Sequence, residues 1–265
     1  MNILDIIIDY KRGEVEKRKS EVSIAALENS VFFKKDTLSL NEFLLHKDKT
    51  GIIAEFKRKS PSRGIINNNA DVVEVTKGYT ANGASCLSVL TDEHFFGGSD
   101  EDVRKARVNA IPVLRKEFII DEYQVIEAKS IGADVILLIA ACLTPKAVKL
   151  LASFAKQLGL GVLLELHDED ELGHVCDETD VVGINNRNLK TFVVDIERSL
   201  RMAEQIPAGK IKVAESGIST PENIILFKEN GFHGFLIGEN FMKEKDPTIA
   251  FARFVEQLKQ KQYEN

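Results

Sequence analysis

Eight short apolar runs divide the chain from residue 51 onward, each followed by a polar loop and an amphipathic stretch. The runs are GIIAEF (51–56), SCLSVLT (85–91), IPVLRKEF (111–118), DVILLIA (134–140), GVLLEL (161–166), DVVGINN (180–186), KIKVAES (210–216) and HGFLIGE (233–239). The stretches between them, such as ADVVEVTKGYTANGA and TPKAVKLLASFAKQLGL, carry apolar residues near helical spacing. Several end in glycine, as SIGAD and QLGLG do, in the manner of helix C-caps. Strand-then-helix units recurring roughly every 20–35 residues predict parallel βα pairs. Eight evenly spaced units without a long insertion predict a closed (β/α)8 TIM barrel of the α/β class rather than an open doubly wound sheet. Residues 1–47 precede the first strand. Within them ILDIIIDY and SLNEFLLH predict an N-terminal helical extension packed on the barrel (48–265), so that residues 1–265 read as one domain.

Charge and cysteine usage narrow the partners. The formal net charge of −6 provides no general basic footprint for nucleic acid. Cys86, Cys142 and Cys176 form no CxxC pair and are odd in number, which predicts a reducing, intracellular setting. The N-terminal apolar cluster is interrupted by Asp5 and Asp9, and falls far short of the ~20 apolar residues of a membrane span. It also lacks the basic region and cleavage site of a signal peptide. A cytoplasmic protein is expected, with a small molecule or another protein as partner and neither nucleic acid nor membrane. The five histidines show no metal-ligand spacing and read as structural or surface groups, so no metal is expected. Cys142 reads as a small core hydrophobe.

Alternation within the runs says more. Residues two apart on a strand share a face. In the first run Ile52, Ala54 and Phe56 suit the helix layer, so Ile53, Glu55 and Lys57 point into the barrel. The fifth run repeats this with Leu163, Glu165 and His167 inward, the sixth with Gly183, Asn185 and Arg187, and the seventh with Val213 and Glu215. The third is less clean, because Arg115 and Glu117 are charged on one parity and Lys116 on the other. The apolar neighbours Leu114 and Phe118 assign Lys116 inward. Glu55, Lys57, Lys116, Glu165, Asn185, Arg187 and Glu215 therefore gather at strand C-termini, where this fold carries its active sites. Inter-strand ion pairing in the core is the alternative, and it is costly for so many charges. After the last two strands, ESGIST and IGEN place Gly217 and Gly238 where backbone N–H groups and helix N-termini can hold a phosphate.

The segments AEFKRKSPSRG, LTDEHFFGGS, VLRKEFIIDEYQ, GADVILLIA, LLELHDEDEL, GINNRNLKTF, VAESGIS and FLIGENFM, in that order, resemble the indole-3-glycerol-phosphate synthase family. The resemblance runs from about residue 50 to 242 and is carried most specifically by KRKSPS and GINNRNL. It implies ring closure, decarboxylation and dehydration of 1-(2-carboxyphenylamino)-1-deoxyribulose 5-phosphate to indole-3-glycerol phosphate in tryptophan biosynthesis, with no cofactor or metal. By the same resemblance Lys116 is the acid at the ketone, and Lys57 lies near the substrate carboxylate and serves dehydration. Glu165 is the base, while Glu55, Asn185 and Glu215 position lysines and substrate hydroxyls. Phe96, Phe118 and Leu189 match apolar positions around the anthranilate ring. Ser60 lies in the first loop, which reads as mobile, with Lys59 and Arg63 as solvated charges. Arg187 matches an arginine at the mouth, as a substrate contact or a structural ion pair. Ser216, Gly217, Gly238 and Glu239 align with the phosphate region. Some members carry a small hydroxyl residue at position 239, so here the backbone N–H would serve while the carboxylate turns away. Contact with other tryptophan-pathway enzymes is left open. Two rival readings also stand: a Schiff-base aldolase using Lys57 or Lys116, and a non-catalytic barrel that binds a phosphorylated ligand.

Overall fold

Each apolar run forms one strand in the computed structural model, which describes residues 3–188 and 193–264. The strands are β1 (Ile52–Phe56), β2 (Cys86–Leu90), β3 (Val113–Lys116), β4 (Val135–Ile139), β5 (Gly161–Leu166), β6 (Val181–Asn185), β7 (Ile211–Glu215) and β8 (Phe232–Ile237). All pair in parallel with their sequence neighbours, and β8 closes on β1 through Ile52↔Phe235, Ile53↔Leu236 and Ala54↔Ile237. This is the (β/α)8 barrel.

Two apolar layers follow from the alternation. Ile52, Ala54, Phe56, Val162, Leu164, Val182 and Ala214 pack outward against the helices. Ile53, Leu114, Leu163, Val181 and Val213 fill the interior. Helix starts are set by side-chain caps: Asp71 accepts from Glu74 N–H, Asp121 from Tyr123 N–H, and Thr144 from Ala147 N–H just before Pro145. The expected C-cap in SIGAD is realised, with Gly132 left-handed at φ 93°.

The fifth unit departs from the pattern. Between Leu166 and Val181 the described chain makes only a 3-10 helix, Glu169–His174. Few apolar residues lie in this short crossing, and Gly173 interrupts it, so an α-helix there has little to bury.

The extension works at both ends of the barrel. Helix Leu40–Leu45, capped by Ser39, puts Leu40 and Leu44 into the interior cluster at the strand N-termini, beside Cys86 and Ile211. Helix Ile3–Glu21 crosses the opposite end, where Ile3, Leu4 and Ile7 line the mouth. Its Lys11 is fully buried and paired with Asp92 at 2.9 Å and Glu117 at 3.0 Å. No helix among the described residues is long and apolar enough to cross a membrane.

Candidate active site

At the strand C-termini lies a cavity of about 500 Å³. Every inward polar residue read from the alternation borders it: Glu55, Lys57, Lys116, Glu165, Asn185, Arg187 and Glu215. Ser60, Phe96, Phe118, Ser216, Gly217, Gly238 and Glu239 border it too. Leu189 lies outside the described residues.

Lys116 is the hub. Its Nζ donates to Glu165 Oε2 at 2.7 Å and to Glu215 Oε2 at 3.1 Å. Burial works against the ammonium, but Glu165, Glu215 and Glu55 outweigh it and hold the pKa far above the ordinary lysine value. The close approach of Glu215 depends on Gly183, because a Cβ there would sit 2.1 Å from Glu215 Oε1. At the C-terminal end of β1, Lys57 Nζ pairs with Glu55 Oε1 at 2.7 Å.

Glu165 and Glu215 are driven apart by their surroundings. For Glu165, burial is overcome by Lys116 and His167, and its pKa lies well below the ordinary carboxylate range. For Glu215, burial and the charge on Glu165 prevail and push it up to about 8. One carboxylate thus stays ionised while the other holds its proton near neutrality.

The linkage has a definite sign. Folded Glu215 keeps a proton that the unfolded chain gives up near 4.5, so stability from this group falls as pH rises from there to about 8. Glu165 acts oppositely: its contribution is present above about 4.5 and is lost as pH falls toward its folded value. Glu215→Gln should therefore gain stability relative to wild type as pH rises from about 5 to about 8. Urea midpoints across that range check this, and a constant difference between the two proteins would exclude such a role for Glu215.

Asn185 links Glu165 to β6. Its Oδ1 accepts from Arg187 N–H at 3.0 Å, so the amide Nδ2 faces Glu165 and donates to Oε1 at 2.9 Å. Arg187 also bridges to Val194 through its backbone. Phe96 and Phe118 stand side by side with ring centroids 5.9 Å apart and form an apolar wall. Ser216 is left-handed at φ 67°, rare for a residue with a Cβ, and Gly217 follows at φ 70°. Asn186 Nδ2 holds this bend by donating to Ser216 O at 2.7 Å.

Two expectations are revised, and the first loop takes a definite form. The KSPSRG loop is a short antiparallel hairpin, Lys59–Ser60 with Gly64–Ile65, and Ser60 is buried. Its charges are not simply solvated: Lys59 Nζ donates to His94 O at 2.9 Å, and Arg63 Nε meets Glu239 Oε1 at 3.0 Å while remaining 62% exposed. His167 is not a surface group. It borders the cavity, with Nε2 2.8 Å from Glu165 Oε1. Its shared parity with Glu165 was the available signal, and a search for metal spacing is blind to a histidine paired with a carboxylate. Among the described residues no cluster of His, Cys, Asp and Glu could hold a metal ion.

Fold and cavity together define a (β/α)8 barrel with a charged pocket at the C-terminal mouth, where enzymes of this fold carry their active sites. The chain belongs to the indole-3-glycerol phosphate synthase family, whose family model matches residues 4–254. An indole-3-glycerol phosphate synthase of Bacteroides thetaiotaomicron is 47% identical over 258 residues, covering 97% of this chain and 99% of the relative. One from Bordetella pertussis is 42% identical, covering 96% and 99%. Solved structures of tryptophan synthase from Pyrococcus furiosus share the fold. A chain of the a2b2 complex has a TM-score of 0.59 at 17% identity, and a mutant alpha-subunit 0.61 at 15%, each covering 80% of this chain and 99% of the other. The chain is accordingly a decarboxylating, ring-closing lyase of tryptophan biosynthesis.

Proposed function

We propose that Lys116, Lys57 and Glu165 carry out this reaction on 1-(2-carboxyphenylamino)-1-deoxyribulose 5-phosphate in the cavity described, as a single-domain enzyme of the cytoplasm. The observation that carries the reading is the convergence of two ammonium groups and an ionised carboxylate, from β1, β3 and β5, on one opening. Ser216, Gly217 and Gly238 receive the phosphate through backbone N–H groups, and Ser60 closes the site from the hairpin. The anthranilate ring lies against Phe96 and Phe118, and Arg187 meets the substrate at the mouth. Lys116 protonates the ketone oxygen as the ring carbon bearing the carboxylate attacks it. CO2 then leaves that carbon. Lys57 protonates the departing hydroxyl, and Glu165 accepts the proton lost as the indole forms. Two protons are donated and one is recovered, so the enzyme takes up one from solvent per turnover, matching the carboxylate lost as CO2.

Glu55 holds Lys57, and Glu215 with Asn185 holds the Lys116–Glu165 pair. Glu239 acts through its backbone, its carboxylate being engaged by Arg63. The test is direct: purified protein mixed with this substrate should develop indole fluorescence. No signal rejects the reading. Borohydride trapping of a covalent adduct with a ketose phosphate would instead favour the Schiff-base aldolase.

A further inference from the structure

Glu165 is gripped from three sides, and the roles given to Lys116 and Asn185 account for only two of them. Lys116 occupies Oε2, whereas Asn185 Nδ2 and His167 Nε2 both reach Oε1, at 2.9 and 2.8 Å. An oxygen already accepting two donors has no lone pair left for a substrate proton, so the basic atom is Oε2. Donation through Nε2 fixes the state of the imidazole. Its Nδ1 is buried, has no hydrogen-bond partner among the described residues, and lies 3.9 Å from Glu171 Oε2. A bare Nδ1 lone pair would face that carboxylate, while an Nδ1–H is attracted to it. Glu171 is itself held by His167 N–H, which donates to the same Oε2 at 2.6 Å. It sits on the 3-10 helix that stands in for the fifth outer helix, so this short crossing returns a carboxylate to the back of His167.

We propose that His167 is a positioning residue for the base: an imidazolium clamped between Glu165 and Glu171, it fixes Oε1 of Glu165 and leaves Oε2 aimed at the substrate. The inference rests on Glu165 being the base. Burial opposes the charge on His167, but Glu165, Glu171 and Glu215 outweigh it and raise its pKa above the ordinary histidine value. Lys116 faces the group from β3, across Glu165. The Cys142 thiol, after β4, lies on the same side; burial, with Glu165, Glu171 and Asp5, raises its pKa.

His167→Gln keeps an amide N–H to offer Glu165 but carries no charge. It should lower kcat about tenfold with KM little changed, and move the acid limb of the kcat–pH profile to higher pH, because Glu165 loses a cation. A merely structural histidine would change Tm or KM and leave the limb in place. NMR titration of the His167 ring provides a readout independent of turnover. The wild-type ring should titrate above ordinary histidine, and Glu171→Gln, which retains an acceptor for His167 N–H, should bring it down. A ring titrating at or below the ordinary value, or His167→Gln with the wild-type rate and acid limb, overturns the proposal. Retained turnover in Glu165→Gln would instead sink the base assignment itself.

Discussion

Lys116→Ala and Glu165→Gln should each lose turnover by about 10³-fold or more while still binding substrate. The bend at Ser216–Gly217 proposed to take the phosphate and the wall of Phe96 and Phe118 do not depend on either side chain, so most of the binding energy should be untouched. What disappears is specific to the transition state. Without Lys116 no ammonium between Glu165 and Glu215 can protonate the ketone oxygen, and the two carboxylates face each other and share a proton. With glutamine at 165 the amide can still meet Lys116 but accepts no proton from the ring. Stopped-flow binding by anthranilate fluorescence, alongside single-turnover indole formation, separates the two effects. Wild-type turnover in both variants would remove these residues from the chemistry. Loss of binding equal to the loss of rate would make them substrate anchors.

The residues of this prediction were legible because strand alternation leaves little freedom. Once Ile52, Ala54 and Phe56 are committed to the helix layer, Glu55 has one direction to face, and the same logic delivers Glu165 and Glu215. β3 breaks the rule because both of its faces carry charge. Arg115 does point outward and Glu117, just past β3, borders the cavity; both are buried, and their partners come from separate elements: Asp100, Glu127 and Lys11. No local pattern announces such a cluster, since its stability depends on three-dimensional convergence. The extension was similarly half legible. Apolar spacing predicted helices in residues 1–47, but only the path of the chain sends Leu44 to the barrel base and Ile7 to the mouth.

That hidden cluster carries the largest expected effect on stability. The Arg115 side chain is fully buried. It donates to Asp100 Oδ1 at 2.9 Å, to Gln124 O at 2.9 Å and to Thr91 Oγ1 at 3.2 Å, and it reaches Glu127 Oε2 at 3.4 Å. Arg18 of the N-terminal helix meets the same two carboxylates, at 3.3 and 3.2 Å. Two guanidinium groups thus balance two carboxylates, and the set ties the strand bearing Lys116 to three helices. Arg115→Met leaves one anion in excess in a desolvated site and should cost about 3–5 kcal/mol, measured by urea unfolding. If the cost comes from that orphaned charge, adding Glu127→Leu restores neutrality around Arg18 and Asp100. The double variant should then lose less than the sum of the two single changes. Additive losses would mean that Arg115 contributes chiefly through packing of its long side chain, and that the charge balance at the back of β3 is incidental to holding Lys116 in place.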